Sequence, residues 1–548
     1  MSQIISLVIN MQKRAIIVFF SICFAMGFLC VRLFTISCEL SDASYIQSHY
    51  KKITLDTLRL PVYDMNGKKL LNNGTENYIA AKPGEKSLET LKEILNEDEF
   101  KTISPSLLKG SPSYVDAGQK EIANNDNVIT LKKYLRYSER QTAAHLLGYV
   151  NSDGSGVSGI ERYFDDYLKT DIKLYAGFLS DVNGNIVDGA PIETDKRYNE
   201  SKAGVYLTLD SEIQKTVEEE LSVSEIKKGA VLITDTKSGA IRAIASVPTY
   251  EPADIAKSMN DPDSPLVNRA LSAFPVGSVF KVAVAAAALE NGFDENETYL
   301  CSGSVEIDGK IFHCNNSTAH GEINMCKALE HSCNCYFVEL SRKIGADKIL
   351  ETAKIFSFGE KTEIAKSLYS FSGKLPTKEE LKLPGNLANF SFGQGAFTAT
   401  PLQIANMFSA VANNGSYTLP YSVLYAADID GNMSYVNTPD APVHALSKNT
   451  AQKLSVMLKS VIENGTAQRA KTEGFACAGK TATAQTGSYN PDGSEKLCTW
   501  FGGYFPADNP KYTVVILKED GSTGGADCAP VFKAIAQRIA ETEKIVGN

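Results

Sequence analysis

Residues 274–281 read Phe-Pro-Val-Gly-Ser-Val-Phe-Lys and run straight into Val-Ala-Val-Ala-Ala-Ala-Ala-Leu-Glu-Asn at 282–291. Pro275 and Gly277 punctuate the chain just before Ser278, and the Ala/Val-rich run behind it carries few polar positions. The stretch predicts a turn at 275–277 and a buried helix over 278–291. Ser278 and Lys281 stand three residues apart, so they share one helix face and the amine can reach the hydroxyl. A helix N-terminus stabilises developing negative charge there. Desolvation lowers a lysine pKa, and a neutral lysine suits a base that activates a serine nucleophile. Three further Ser-x-x-Lys pairs, Ser48/Lys51, Ser106/Lys109 and Ser224/Lys227, lack both the preceding turn and the apolar helix.

Working outward, 230–234 and 240–246 are β-rich runs joined by Asp-Thr-Lys-Ser-Gly, a hairpin by pattern. A single helix is expected over 325–344, with Ser332-Cys333-Asn334 inside it. Lys480-Thr481-Ala482-Thr483 precedes two predicted strands, 499–505 and 512–518, and 530–546 reads as a closing amphipathic helix. Strands at both ends with helices between them predict an α+β domain whose antiparallel sheet is completed by the C-terminal strands. Upstream, residues 40–200 are polar, with short β-like runs and turn signals at Asn66-Gly67, Asn72-Asn73-Gly74, Asp153-Gly154 and Asn183-Gly184. That region carries no catalytic constellation and reads as a β-rich spacer or assembly module.

Lys13 and Arg14 precede an uncharged apolar run over 15–31, followed by Arg32. Seventeen residues make about 26 Å of helix, enough to cross hydrocarbon. A cleaved signal peptide and a buried core helix are the competing readings; run length and flanks favour an uncleaved anchor. The two basic residues before the run keep the N-terminus cytoplasmic and send the rest of the chain outside.

The 548 residues are 43% hydrophobic and 22% charged, which excludes a disordered chain, a collagen and a polytopic membrane protein. Lys and Arg total 55 against 64 Asp and Glu, a net charge of −9, which argues against a nucleic-acid partner.

The order Ser-x-x-Lys, Ser-x-Asn, Lys-Thr-Gly resembles the signature of penicillin-binding proteins and serine β-lactamases, with alanine here in the last place. Flanking blocks extend the likeness: Asn268-Arg269-Ala270, Ser391-Phe392-Gly393-Gln394-Gly395, Thr400-Pro401-Leu402-Gln403, Ala412-Asn413-Asn414-Gly415, and Trp500-Phe501-Gly502-Gly503-Tyr504-Phe505-Pro506. Gly-Val-Ser-Gly-Ile-Glu-Arg-Tyr at 156–163, and Leu207-Thr208-Leu209-Asp210 with Gln214, resemble the non-catalytic module of class B members.

The resemblance implies a cytoplasmic tail and anchor over 1–37, a pedestal over 38–204 and a transpeptidase domain over 205–548. It also implies a serine-type D,D-transpeptidase that cross-links peptidoglycan stem peptides from lipid-linked precursors at the bacterial cell membrane, and is inhibited by β-lactams. Ser278 would be the nucleophile, Lys281 its activator, Ser332 a proton relay and Asn334 a holder of the donor amide. Lys480 would supply positive potential, and Thr481 and Thr483 would bind the terminal carboxylate. The backbone N–H groups of Ser278 and Thr483 would form the oxyanion hole. Ala482 adds a methyl where the substrate lies, leaving normal activity, altered β-lactam sensitivity or a catalytically impaired scaffold open. A β-lactam sensor or a β-lactamase is a further alternative. A membrane glycan polymerase is the implied partner, and no cofactor is expected.

Eight of the 11 cysteines follow residue 300, among them Cys301, Cys314, Cys326, Cys333 and Cys335. Cys301, Cys314 and Cys326 with His313 and His320 are a weighed zinc set, but the spacing lacks a Cys-x-x-Cys knuckle. No metal is expected; a Cys301–Cys314 disulfide or free thiols is the preferred reading.

Overall fold

The computed structural model describes residues 2–40, 49–200 and 202–544; Ser48 of the Ser48/Lys51 pair and the last two residues of the expected 530–546 helix lie outside them. The apolar run lies within one helix, α1 (Ser2–Leu40), whose membrane-compatible stretch Leu7–Ile36 is 30 residues long with a mean hydropathy of 2.4. That stretch is longer than the 17 uncharged residues, because Lys13, Arg14 and Arg32 are carried on the same helix. Its apolar side chains are exposed along the length, as suits a lipid-facing surface.

The chain forms two compact units that interleave in sequence. The first comprises Met1–Leu58, Thr75–Tyr134 and Thr170–Ser201. Here the expectation of short strands is joined by two helices, Glu85–Ile94 and Glu97–Leu108, the second opened by an Asn96/Glu99 capping box. Leu91, Ile103 and Leu107 of these helices meet Ile79, Val115 and Val128 of a three-stranded sheet in one core.

The second unit comprises Arg59–Gly74, Leu135–Lys169 and Lys202–Asn548. The early segment 59–74 belongs here because Val62 and Tyr63 pair in parallel with Val205 and Tyr206. Glu161, inside the 156–163 block, is buried between Arg59 and Arg136, with both nearest contacts at 2.7 Å, and accepts from the Tyr137 hydroxyl at 3.0 Å. Burial pushes its carboxyl up, but Arg136 and Arg59 outweigh that and hold it below the ordinary glutamate value. Gln214 exchanges two hydrogen bonds with the backbone of Ile244.

The main sheet has five antiparallel strands: β1 (Gly229–Asp235), β2 (Ile241–Val247), β3 (Ala478–Tyr489), β4 (Glu495–Phe505) and β5 (Tyr512–Lys518), in the order β3-β4-β5-β1-β2. The expected hairpin is β1–β2, and the C-terminal strands complete the sheet by pairing β5 with β1. Helices cover both faces. Phe501 packs on Phe532 of the C-terminal helix Ala529–Thr542 at 4.3 Å between ring centres. On the neighbouring residue a Cβ at Gly502 would strike Phe408 of the helix Pro401–Ala412. The strand carrying Lys480 is thus an edge strand, open on one side within its sheet.

Candidate active site

The expected 278–291 helix begins as a 3₁₀ turn, Gly277–Phe280, and continues as α2 (Lys281–Glu290). Gly277 has φ +66°, and a Cβ there would lie 2.8 Å from the Thr483 carbonyl oxygen and 3.2 Å from the Ala484 Cβ. Only glycine lets the turn sit this close to β3. Its N–H donates to the Gly393 carbonyl at 2.8 Å, and Phe280 packs against Phe358, Phe390 and Phe397. The turn is therefore held from three sides, with Ser278 half-buried beside β3.

Lys281 is fully buried. Its Nζ donates to Asn334 Oδ1 at 2.6 Å, to the Ser332 carbonyl at 2.7 Å and to Ser332 Oγ at 3.3 Å. Three N–H donors meet three acceptors, so the amine reaches the second motif rather than the Ser278 hydroxyl. Among the described residues that hydroxyl makes no hydrogen bond, and it stays free to meet a substrate. Burial lowers the Lys281 amine to about 8, with the neighbouring thiols of Cys333, Cys314 and Cys335 acting in the opposite direction.

The single helix expected over 325–344 is broken into α3 (Met325–Glu330) and α4 (Asn334–Ile344). Ser332 adopts φ +56° and Cys333 is extended, capping α4 by accepting from the Tyr336 N–H. A non-glycine residue in the left-handed region is strained and persists where its surroundings hold it. The break turns the Ser332 carbonyl and hydroxyl toward Lys281, which an unbroken helix would not do. Asn334 Nδ2 also donates to the His313 carbonyl at 2.8 Å.

On β3, Lys480 is fully buried and donates to the Thr481 carbonyl at 3.0 Å. Burial, and then the nearby Lys281, hold its amine well below the ordinary lysine value. Thr481 Oγ1 lies 2.9 Å from Thr466 Oγ1, and Thr483 Oγ1 accepts from the Gly524 N–H at 3.4 Å. Ala482 is 3% exposed and paired opposite Trp500, so its methyl is buried rather than projecting into solvent. Trp500 Nε1 donates to the Pro275 carbonyl at 2.8 Å, tying β4 to the turn before Ser278.

The structure thus brings all three motifs together: Gly277 lies on Thr483, Lys281 binds Ser332 and Asn334, and Lys480 is close enough to Lys281 to feel its charge. By contrast, the Ser224/Lys227 pair is a local surface feature, with the Lys227 amine on the Ser224 carbonyl at 3.0 Å. Sequence reasoning passed over Thr466 and Gly524, which carry no local signal. It quoted Gln394 without a role; its Nε2 faces the Thr483 carbonyl at 3.5 Å.

All ten described cysteines are free thiols, so the expected Cys301–Cys314 disulfide is not formed. Cys326 lies apart from the expected set, against Glu330 on α3, and His313 faces Ser317. Instead Cys301, Cys314, Cys333 and His320 place their ligand atoms within 4.8 Å of one another.

A family model, the penicillin binding protein transpeptidase domain, matches residues 229–537. The chain belongs to the penicillin-binding protein transpeptidase family, as a class B member. It is 27% identical over 620 residues to the peptidoglycan D,D-transpeptidase MrdA of Haemophilus influenzae, covering 97% of this chain and 93% of that protein. It is 28% identical over 513 residues to the stage V sporulation protein D of Bacillus subtilis, covering 88% of this chain and 78% of that protein. Among solved structures it resembles the D,D-transpeptidase domain of a peptidoglycan glycosyltransferase from Eggerthella lenta, with a TM-score of 0.65 and 26% identity, covering 90% of this chain and 100% of that one.

Proposed function

We propose that this protein is a membrane-anchored peptidoglycan D,D-transpeptidase working through a serine acyl-enzyme. The observation that carries the reading is the convergence of Ser278, Lys281, Ser332, Asn334 and the Lys480–Thr483 strand on one point of the fold. A donor stem peptide pairs with the open edge of β3, its terminal carboxylate on the Thr481 and Thr483 hydroxyls and the positive side of Lys480. Asn334 holds the donor's amide. Ser278 Oγ attacks the carbonyl between the two terminal D-alanines while Lys281 takes its proton, and the amine's contacts with Ser332 and Asn334 steady the charge it gains. The oxyanion sits on the N–H groups of Ser278 and Thr483, each such donor contributing about 3–4 kcal/mol. The proton passes through Ser332 to the departing D-alanine. An amine from a second stem then attacks the acyl-enzyme, restoring Ser278 and forming the cross-link.

The same reading puts the tail before α1 in the cytoplasm and both units outside, with the first unit as pedestal and the second as catalytic domain. β-lactams acylate Ser278, and a membrane glycan polymerase supplies the strands to be joined. The buried Ala482 methyl and the complete set of polar groups favour an active enzyme over a scaffold. The test is reconstitution of the full-length protein with lipid-linked pentapeptide precursor and a glycan polymerase. Cross-linked muropeptides and released D-alanine are expected with the wild type and not with Ser278→Ala; equal yields from both would end the proposal.

A further inference from the structure

We propose that Cys301, Cys314, His320 and Cys333 form a closed zinc site that locks the Ser332-Cys333-Asn334 turn in place. The site was not expected from spacing, which favoured Cys326 and pointed to no metal. Its donors converge from separate elements: Cys301 ends the strand Tyr299–Cys301, Cys314 follows the strand Lys310–His313, His320 precedes the strand Gly321–Ile323, and Cys333 caps α4.

The distances match the metal. Tetrahedral zinc with sulfur at about 2.3 Å and nitrogen at about 2.0–2.1 Å separates two sulfurs by about 3.8 Å, and sulfur from nitrogen by about 3.6 Å. Here Cys301 and Cys314 Sγ lie 3.7 Å apart, Cys314 and Cys333 Sγ 3.6 Å, and Cys301 Sγ and His320 Nδ1 3.4 Å. The three cysteines are buried. Three buried thiols and an imidazole around one centre have little else to satisfy them, whereas one divalent ion satisfies all four. Sulfur donors exclude magnesium and calcium, and a tetrahedral S₃N set suits zinc.

The surroundings fit a bound thiolate. The Tyr336 N–H donates to Cys333 Sγ at 3.4 Å, and Cys333 sits at the N-terminus of the eleven-residue α4. The His331 ring stacks on His320 at 5.4 Å and fixes its plane. Cys335 lies 3.4 Å from Cys314 Sγ but outside the four-donor set. With four protein ligands no position remains for water, so the ion is structural rather than a Lewis acid for the reaction. It staples residues 299–323 onto the turn that holds the strained Ser332 and the acceptors of Lys281. That consequence rests on the transpeptidase reading; the metal itself does not.

The test is elemental analysis of the full-length protein purified in detergent without chelator. About one zinc per chain is expected. Cys301→Ser and His320→Ala should lose most of it, Cys326→Ser should keep it, and His320→Cys, which retains four donors, should keep it too. Cobalt added to the stripped protein should give the strong visible absorption of a tetrahedral thiolate site, absent from Cys314→Ser. Stripping the metal should slow penicillin acylation by about tenfold or more, restored by zinc. Background zinc in a folded wild type, iron in its place, or equal zinc in the Cys301→Ser and Cys326→Ser proteins would overturn the site. One zinc with acylation unaffected by its removal would overturn the locking role, while one zinc in a protein that forms no acyl adduct at all would leave the site standing and remove the transpeptidase reading instead.

Discussion

Replacing Asn334 by alanine deletes one of the three acceptors around the buried Lys281 amine. Asn334 Oδ1 lies 2.6 Å from Lys281 Nζ, the shortest of its contacts, and Nδ2 anchors the residue to the His313 carbonyl at 2.8 Å. The bond to Lys281 strengthens as the amine takes the serine's proton, so its loss falls on the transition state more than on the resting enzyme. A hydrogen bond to a charged group contributes about 1.5–3 kcal/mol, which corresponds to a rate loss of about 10- to 150-fold. The assay is the second-order rate of labelling of the full-length protein by a fluorescent penicillin, with circular dichroism showing an intact fold. Asn334→Asp keeps an oxygen at the acceptor position and loses only the donor to His313, so its loss should be smaller. An Asn334→Ala protein labelled within about twofold of the wild-type rate would refute the reasoning that this contact serves proton uptake.

Three other outcomes follow from the geometry. Glu161→Gln leaves Arg59 and Arg136 without their carboxylate and should cost about 3–5 kcal/mol in urea unfolding at neutral pH. Because the folded carboxyl is held below its unfolded value, this stability is complete above the unfolded glutamate pKa and is lost as pH falls through the folded one. The variant should therefore show a flatter acid limb, and an unchanged limb would contradict the ion-pair assignment. Gly277→Ala puts a Cβ 2.8 Å from the Thr483 carbonyl at a residue with φ +66°, so penicillin labelling should collapse while the far-ultraviolet spectrum persists. Trp500→Phe removes the N–H that reaches the Pro275 carbonyl at 2.8 Å and should lower stability by about 1–3 kcal/mol, read as an earlier urea midpoint.

The parts of the fold that were legible in the sequence are those written locally. The Pro-Val-Gly turn, the apolar run after Ser278 and the alternating runs of β1, β2, β4 and β5 each carry their own signal, and the sheet joins them as expected. The break between α3 and α4 was not legible, because a left-handed serine looks like any helical serine until its neighbours are known. Its cause is long-range: Lys281 and the His313 carbonyl hold the turn from outside the helix. Cys333 was visible only as the middle of a motif. Its three partner donors arrive through strands folded back on themselves between 299 and 323, a closeness that no spacing rule reports. The helices at 85–108 were overlooked among turn signals, although Leu88, Leu91, Ile94 and then Ile103 and Leu107 repeat at helical intervals.

The central claim is that Ser278 is the nucleophile of a penicillin-reactive site. It is tested most directly by the intact mass of the full-length protein after exposure to a penicillin, followed by peptide mapping. One adduct on the peptide containing Ser278, absent from Ser278→Ala and greatly slowed in a Lys281 variant, is the predicted result. No adduct on the folded wild type, or an equal adduct on Ser278→Ala, would contradict the account.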